Sequence, residues 1–234
     1  FNACFDRGRF ITATLAGRGE VPRALTLPGQ PGYADTPTAD FDPVRCAEEF
    51  KAVEFRTPDD LPLWEAGFAV QLPYRDGDEV QQAVVDQLAQ NVAQINARFV
   101  ITPVAISTLD WLRELRAGQI PLAALGWQAD LPDPHNWYRP YLFDTYTSRF
   151  HLPDDLAQKY RVLIDQGAID LDDGARAATY AALNAALLDD AALILLPYAS
   201  GYRYEPVYLK GWLNGWSMNP LLPDPGYVYE YNER

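Results

Sequence analysis

An alternation of strand and helix patterns through the middle of the chain constrains its fold more than any other feature. Apolar, extended stretches alternate with amphipathic stretches whose apolar residues recur at helical spacing. The order strand, helix, strand, helix, strand runs through Phe68–Tyr74, Asp78–Ala97, Arg98–Ile106, Thr108–Ala117 and Pro121–Trp127. Strands that alternate with helices in this way form parallel sheets joined by right-handed crossovers. We therefore predict an α/β domain, with a break at Pro103 in the second strand and a wholly apolar third strand buried on both faces.

The segments on either side of this alternation add helices, a long loop and one more strand. Asp42 and Pro43 are residue types preferred at the N-cap and at the first position of a helix. Residues 18–43 are rich in proline and glycine, which predicts a loop that follows the surface. The remaining predictions are a helix over Phe1–Leu15 ending at Gly17, a loop over 128–146, helices near 154–166 and 172–190, and a buried strand over 193–198. Together these elements indicate a mixed sheet with flanking helices.

The charge and motif content of the chain exclude several classes of function. A formal net charge of -13 argues against a nucleic-acid partner, which needs a basic face, and against adsorption to anionic lipid. No apolar run approaches the length of a membrane span. Neither GxxxxGK[ST] nor GxGxxG occurs, so the usual loops for nucleotide phosphates are missing. We therefore expect no cofactor and no nucleic acid.

The two cysteines, Cys4 and Cys46, leave their chemical state open. They could form one disulfide in an oxidising compartment, or they could be two buried thiols. Neither belongs to a CxxC pair or has a histidine nearby in the sequence, so we expect neither metal binding nor thiol catalysis.

The loop that follows the third predicted strand is the first candidate for a binding site. Ligands of open parallel sheets lie outside the carboxyl ends of the strands. There Asp130 could pair with a cation while the indole ring of Trp127 forms an apolar or cation–π wall. Thr108, predicted as the cap of the helix after the second strand, is a further candidate contact. The alternative interpretation is structural, since Asp130 and Asp133 stand in a proline-rich sequence typical of turns and caps.

Catalytic interpretations of the same region find less support in the sequence. Asp130 and Asp133 could be imagined as the acid and base of a glycoside hydrolase, but their spacing gives no reason to expect the required separation. The only histidines, His135 and His151, are expected to be exposed loop residues, and a metal site from His135 and the two aspartates lacks a recognised ligand spacing. No GxSxG elbow is present for a serine nucleophile. We therefore expect a binding protein rather than an enzyme.

Short segments along nearly the whole chain carry recognisable motifs. Gly126–Pro134 has the sequence GWQADLPDP, close to the pattern GW-x-x-D-Y-x-D-P. The others are Phe1–Arg7, Leu15–Gly19, Asp42–Ala47, and Arg176–Leu188 together with Ile194–Tyr198. In this order they resemble the solute-binding proteins of peptide and nickel ABC importers, known as family 5.

The resemblance implies that residues 1–234 form one periplasmic-binding-protein-like lobe, of the type II, cluster C class. This lobe would be the C-terminal half of a two-lobed clamp, and the helix pattern at Phe1 leads us to expect that the other lobe precedes it. The clamp would capture di- or oligopeptides and deliver them to the transmembrane subunits of an ABC permease. In peptide-binding members, the aspartate after GW-x-x pairs with the ligand's ammonium group, and this residue corresponds to Asp130.

The resemblance further implies a monomer in the periplasm or at the cell surface, with a lipid anchor on the preceding part of the protein as an option. Two departures from the family pattern affect the ligand: Leu131 replaces a tyrosine, and Thr108 stands where a tryptophan is common. A sugar, a nickel chelate or an opine-like molecule therefore stays open as an alternative to a peptide. Because one lobe supplies half of the contacts, we expect weak or undetectable binding by the isolated chain.

Overall fold

A computed structural model describes residues 1–33, 40–127, 129, 131, 133–143, 152–199, 209–210 and 230–231 of the chain. A short 3-10 helix, Asn2–Cys4, begins it. The α-helices are α1 (Arg7–Ala13), α2 (Pro43–Lys51), α3 (Leu63–Ala66), α4 (Glu79–Ile95), α5 (Thr108–Arg116), α6 (His135–Leu142), α7 (Asp154–Ile169) and α8 (Asp173–Asp189). The strands are β1 (Gly19–Glu20), β2 (Phe68–Arg75), β3 (Phe99–Ile106), β4 (Tyr198–Ala199), β5 (Leu209–Lys210) and β6 (Glu230–Tyr231). Helices that flank small two-stranded sheets confirm the predicted α/β class.

The longest sheet pairs β2 with β3 in parallel over the full length of both strands. Helix α4 makes the crossover between them, and Asp78 begins this helix by accepting a hydrogen bond from the backbone N–H of Gln81. The predicted strand, helix, strand unit is thereby confirmed. The break predicted at Pro103 is absent, since Pro103 pairs with Leu72 within a continuous ladder. A proline is tolerated there because, within the described residues, β3 has a partner strand on one side only.

Gly67 lies between α3 and β2 in a left-handed conformation, with φ 75°. A Cβ atom at this position would come within 2.4 Å of the carbonyl oxygen of Arg98. The missing side chain lets β2 start close to the beginning of β3, where the backbone N–H of Phe68 donates to that same carbonyl at 3.1 Å. Any other residue would therefore push the two strands apart at their first pair.

The sheet layer, which we define as the 3-10 helix with α1 to α4, β2 and β3, encloses a core rich in phenylalanine. Phe99 is fully buried, and its ring centroid lies 4.7 Å from that of Phe50 and 4.8 Å from that of Phe68. Aliphatic side chains of β2 and α4 complete this core: Leu72, Val84, Val85, Leu88 and Val92. Burial of this apolar surface, at about 25 cal/mol per Å², is its main source of stability.

A disulfide between Cys4 and Cys46 fastens the start of the chain to α2, with the Cα atoms 5.2 Å apart. The sequence left open whether these residues are bonded, and in the structure they form a disulfide. Both cysteines are fully buried within the sheet layer. A cross-link with a sequence separation of 42 restricts the unfolded chain, which stabilises the fold by about 4 kcal/mol.

The helical layer, which we define as α6, α7 and α8, has a core of tyrosines and leucines. Tyr138, Tyr160 and Tyr180 are fully buried, and burial raises the pKa of each phenol, so the hydroxyls stay protonated at neutral pH. Tyr138 donates to Asn184 Oδ1 at 3.4 Å, and Tyr160 donates to Asp190 Oδ2 at 2.9 Å. Among the described helices, here and elsewhere, none is both long and apolar enough to cross a bilayer.

Two predictions about helices need correction. The single helix predicted over Phe1–Leu15 is interrupted before α1, because the Asp6 side chain accepts a hydrogen bond from the backbone N–H of Arg9 and so begins a new helix. The loop predicted over 128–146 contains α6, with one proline at its N-cap and Pro140 inside it. Prolines are usually helix breakers, and their density hid the helical pattern in this segment.

Two predicted strands form no ladder over most of their length. Residues 121–127 are assigned to no strand, and of 193–198 only Tyr198, followed by Ala199, pairs with β1. The side chains of 122–125 still alternate, since one set packs with the core of the sheet layer and the other packs with α5. The predicted strand over 121–127 is therefore wrong, and its side chains are half-buried or exposed rather than buried on both faces.

Candidate functional site

The carboxyl ends of β2 and β3 lie side by side and form an edge of the kind where ligands bind in parallel sheets. Arg75 ends β2 and Ile106 ends β3, and the backbone N–H of Asp76 donates to the Ile106 carbonyl at 2.8 Å. An open depression of about 460 Å³ lies at this edge, lined by residues 75–80 and Thr108. The local fold thus brings one of the three predicted contact residues to the expected edge.

Thr108 is the exposed first residue of α5. The sequence predicted Thr108 as the cap of this helix, and that prediction is wrong by one residue. Ser107 is the N-cap, because its hydroxyl accepts a hydrogen bond from the backbone N–H of Asp110 at 3.1 Å. The cap of α5 therefore does not use the Thr108 hydroxyl.

The charges around this depression are mostly negative. Its lining includes the acidic residues Asp76, Asp78 and Glu79 together with Arg75. The Arg75 guanidinium forms an ion pair with Asp78 and lies over the Trp111 ring, 5.5 Å from its centroid. Because the acidic residues in this lining outnumber the arginine, the edge favours a cationic group over an anion.

Trp127 lies at a different cavity. Its half-buried ring lines a mostly apolar space of about 360 Å³, whose other walls include β2, α4 and the segments 22–27, 120–125 and 192–196. The indole Nε1 donates to the carbonyl oxygen of Asn136 at 2.7 Å, which fixes the ring against the start of α6. The structure therefore does not bring Trp127 and Thr108 to one cavity.

Asp130, the predicted ligand contact, lies outside the described residues, as does His151. The neighbours of Asp130 in the chain are described. Ala129 is fully buried, and the backbone N–H of Leu131 donates to Asn136 Oδ1 at 3.4 Å. The role of Asp130 stays a prediction, but the chain on both sides of it has a defined place.

Asp133 is engaged in structural contacts. Its Oδ1 accepts hydrogen bonds from the backbone N–H of His135 and from Arg176 Nη2, each at 2.8 Å. Burial alone would raise the pKa of Asp133, but these hydrogen bonds and the charge of Arg176 outweigh burial and hold the pKa below its usual value. The structural interpretation of Asp133 is confirmed. A carboxyl group that stays ionised is a poor proton donor, which counts against Asp133 as the acid of a glycoside hydrolase.

His135 is not the exposed loop residue that the sequence predicted. It is the half-buried first residue of α6, and its Nδ1 lies 3.1 Å from the hydroxyl of Tyr180. The unpredicted helix accounts for the difference, because α6 turns this side chain toward α8. Across the described parts of the chain, no group of three or more His, Cys, Asp or Glu side chains is placed to hold a metal ion.

Sequence reasoning missed Arg176 and Asn136, the two residues that hold the loop around Asp130 to the helices. Arg176 lies on α8, far from the loop in the sequence, and Asn136 lies on α6, the helix that was not predicted. One signal was available for Arg176, which stands near the N-terminus of α8. The helix dipole disfavours a cation at that end, so an arginine there points to a specific acidic partner.

Comparison with known families gives one match that covers most of the chain. The family described as bacterial extracellular solute-binding proteins, family 5 Middle, matches residues 1–149. No curated protein sequence matches the chain. The matched residues include the sheet layer, the carboxyl edge of β2 and β3, and the segment 126–134.

Several solved structures share the fold. NikA from Brucella suis in complex with Fe(III)-EDTA gives a TM-score of 0.67 at 18% identity, over 85% of this chain and 40% of that one. A dipeptide-binding protein from Pseudoalteromonas sp. SM9913 in complex with Met-Leu gives a TM-score of 0.69 at 15% identity, over 84% of this chain and 38% of that one. A mannohexaose-bound periplasmic oligopeptide-binding protein of an ABC transporter from Thermotoga maritima gives a TM-score of 0.66 at 14% identity, over 90% of this chain and 42% of that one.

These likenesses confirm the predicted periplasmic-binding-protein-like fold. The chain spans between 38% and 42% of the length of these three proteins. The bound molecules named for them are a metal chelate, a dipeptide and an oligosaccharide, so one fold serves ligands of unlike chemistry. The fold alone therefore does not select the ligand.

Proposed function

The chain belongs to the bacterial extracellular solute-binding proteins of family 5, and from that membership we propose its function. It is the C-terminal lobe of a two-lobed binding protein of an ABC importer. The protein captures di- or oligopeptides in the cleft between its lobes and delivers them to the transmembrane subunits of a permease. Asp130 pairs with the ligand's ammonium group, Trp127 forms a wall of the pocket, and Thr108, at the separate depression of the β2–β3 edge, makes a further contact. The lobe binds its ligand without catalysing a reaction.

The family match over residues 1–149 is the observation that carries this proposal, because it includes the segment that holds Asp130. A carboxylate enclosed in a dry cleft favours a cation strongly, since without one it would be left buried and unpaired. The same carboxylate rejects a neutral ligand of equal shape. A free amino terminus is the one group that every unmodified peptide offers to such an anchor.

The charge at the carboxyl edge of β2 and β3 supports a peptide over an anionic chelate. Asp76 and Glu79 add negative charge beside the Arg75–Asp78 ion pair, and this repels anions while attracting an ammonium group. A sugar, a nickel chelate or an opine-like molecule is the alternative ligand class. Proteins of similar fold were solved with Fe(III)-EDTA and with mannohexaose, which keeps these ligands in the test below.

The same proposal places the protein outside the cytoplasm, in the periplasm or at the cell surface, as a monomer. The matching family is extracellular by its description. The buried disulfide between Cys4 and Cys46 supports this location, because such bonds persist in oxidising compartments and are rare in the cytosol.

The decisive variant is Asp130→Asn in the full-length protein, measured by titration calorimetry with a free-amine dipeptide and its N-acetylated form. Removing one partner of a buried charge pair should weaken binding of the free-amine peptide about 100-fold. Acetylation should weaken binding to the wild type by a similar factor and should have little further effect on Asp130→Asn. Asp59→Asn, at an exposed position, is the control and should bind like the wild type.

Three results would contradict the proposal at different levels. Unchanged affinity of Asp130→Asn for free-amine peptides would remove Asp130 as the anchor. Tighter binding of an oligosaccharide or a nickel chelate than of any peptide, in a thermal-shift screen of the full-length protein, would replace the ligand class. Turnover of a glycoside that is lost in both Asp130→Asn and Asp133→Asn would overturn the assignment as a binding protein.

A further inference from the structure

We propose that Arg176 is a positioning residue for the 126–134 segment. It holds this segment against the helical layer through Asp133 and so sets ligand affinity without touching the ligand. The inference rests on the proposed function, in which Asp130 of the same segment contacts the ligand. Arg176 lies on α8, 43 residues away from Asp133 in the sequence.

Three contacts fix the Arg176 side chain at once. Its Nη2 donates to Asp133 Oδ1 at 2.8 Å, and its Nε donates to the carbonyl oxygen of Gly167 at 2.9 Å. The guanidinium carbon lies 5.2 Å from the centroid of the Tyr180 ring. A planar guanidinium can meet all three partners together, whereas the ammonium of a lysine is a point charge on a flexible stem. The geometry therefore uses properties of arginine that lysine does not share.

The surface behind Arg176 is rigid. Tyr180 is fully buried, and Gly167 of α7 packs so closely on it that a Cβ atom there would lie 2.7 Å from the ring carbon Cζ. The two helices are in close contact at this point, and the carbonyl of Gly167 lies within hydrogen-bond distance of the arginine. Arg176 is therefore held by the helix pair α7–α8 rather than by the loop that it supports.

The 126–134 segment attaches to this rigid base at several points. Asp133 receives the hydrogen bond of Arg176 and also accepts one from the backbone N–H of His135, at the first turn of α6. Asn136, one residue further, accepts hydrogen bonds from the indole N–H of Trp127 and the backbone N–H of Leu131. Both sides of Asp130 are thus tied to the start of α6, and the Asp133–Arg176 pair ties that start to α8.

The electrostatics agree with a role in positioning. A cation near the N-terminus of α8 opposes the helix dipole, so the position is a poor one for an arginine that served the helix alone. The hydrogen bond to Asp133 raises the pKa of Arg176 and, with the other contacts, lowers that of Asp133. The pair is therefore fully charged at neutral pH and holds its geometry there.

The test compares Arg176→Gln and Arg176→Lys with the wild type in the full-length protein. Affinity for a free-amine dipeptide is measured by calorimetry, and the place of the segment is followed through the NMR signal of the Trp127 indole N–H, assigned with Trp127→Phe. We expect Arg176→Gln to move this signal and to weaken binding about 10-fold. Arg176→Lys keeps the charge and should recover only part of both losses.

Lys159→Gln is the matched control. It breaks a different ion pair, which joins Lys159 on α7 to Asp190, the C-cap of α8, at 2.6 Å and does not involve the 126–134 segment. It should lower the melting temperature about as much as Arg176→Gln and leave the Trp127 signal and the affinity unchanged. This control separates positioning of the 126–134 segment from a general loss of helix packing.

The two outcomes against the inference are distinct from a failure of the proposed function. An unmoved Trp127 signal in Arg176→Gln overturns the positioning role, whatever the ligand is. A signal that moves equally in Lys159→Gln reduces Arg176 to a general packing residue. If the wild type binds no peptide at all, the proposed function fails, and the Trp127 signal still decides whether Arg176 positions the segment.

Discussion

The sheet layer and the helical layer both bury aromatic rings, but they bury different ones. In the sheet layer the fully buried rings are phenylalanines, among them Phe5, Phe10 and Phe99. In the helical layer the fully buried rings are the tyrosines at the ends of the hydrogen bonds described above: Tyr138, Tyr160 and Tyr180. The tyrosine rings each carry a hydroxyl group that the phenylalanine rings lack.

This difference between phenylalanine and tyrosine gives the two layers different roles. A phenylalanine contributes through buried area, which depends little on the direction of its neighbours. A buried tyrosine also needs a partner for its hydroxyl, and hydrogen bonds weaken steeply when their angle is wrong. Contacts such as Tyr180 to His135 therefore fix the orientation of α6, on which the 126–134 segment depends. The sheet layer supplies stability, and the helical layer supplies orientation.

The largest predicted effect tests the phenylalanine core. Phe99→Ala should lower the free energy of unfolding by about 4 kcal/mol, because it removes a ring packed on Phe50, Phe68 and Trp64. Val100→Ala, the next residue on the outer face of β3, is the control and should cost about 0.5 kcal/mol or less. Equilibrium unfolding in guanidinium chloride measures both. A loss below about 1 kcal/mol for Phe99→Ala would show that this core is not the main source of stability.

A smaller effect is expected from removing one hydroxyl in each layer. Tyr180→Phe should cost about 1 kcal/mol, since the Nδ1 atom of the half-buried His135 loses its partner. Tyr74→Phe in the sheet layer should stay within a few tenths of a kcal/mol, because the ring of Tyr74 keeps its packing against the core. The same unfolding experiment compares them. Equal losses in the two layers would break the proposed division of tasks.

The smallest predicted effect is a pH dependence of the ion pair between Asp133 and Arg176, which joins the 126–134 segment to the helical layer. The pKa of Asp133 is lowered in the folded state, so its contribution is complete above the unfolded value near 4 and is lost as pH falls through the folded value. The carboxylate is 37% exposed, so we expect less than about 1 kcal/mol. The difference in unfolding free energy between the wild type and Asp133→Asn should shrink from pH 6 to pH 3. The difference in unfolding free energy between the wild type and Phe99→Ala should stay constant over the same pH range. A parallel change for both variants would refute the assignment of this pH dependence to Asp133.

Local patterns were sufficient to predict the centre of the fold. The apolar, extended pattern of β2 and the apolar stripe of α4 each depend on residues within one strand or one helix. The same holds for α2, where Asp42 accepts hydrogen bonds from the backbone N–H groups of Val44 and Arg45. Such elements are specified by near neighbours in the sequence, and sequence analysis can read them.

Distant partners explain what the sequence could not predict. Nothing near Cys4 or Cys46 shows whether they bond, because their approach depends on how the whole N-terminal region folds. The strand-like pattern of 121–127 gives no information about whether a neighbouring backbone is close enough to form a ladder. For the candidate site, Thr108 lies at the carboxyl edge because it follows β3 closely in the sequence, while the pair of Arg176 and Asp133 required contacts across 43 residues.

The disulfide also changes what a single cut in the backbone can do. Cys4 and Cys46 close the first part of the chain into a covalent ring that contains the proline- and glycine-rich stretch after α1. A peptidase that cleaves one bond inside this ring releases no fragment, because both new ends stay joined through sulfur. For a protein proposed to work outside the cytoplasm, a single cut in this ring would leave both pieces covalently joined. The nicked molecule would separate from the intact one on a denaturing gel only after reduction.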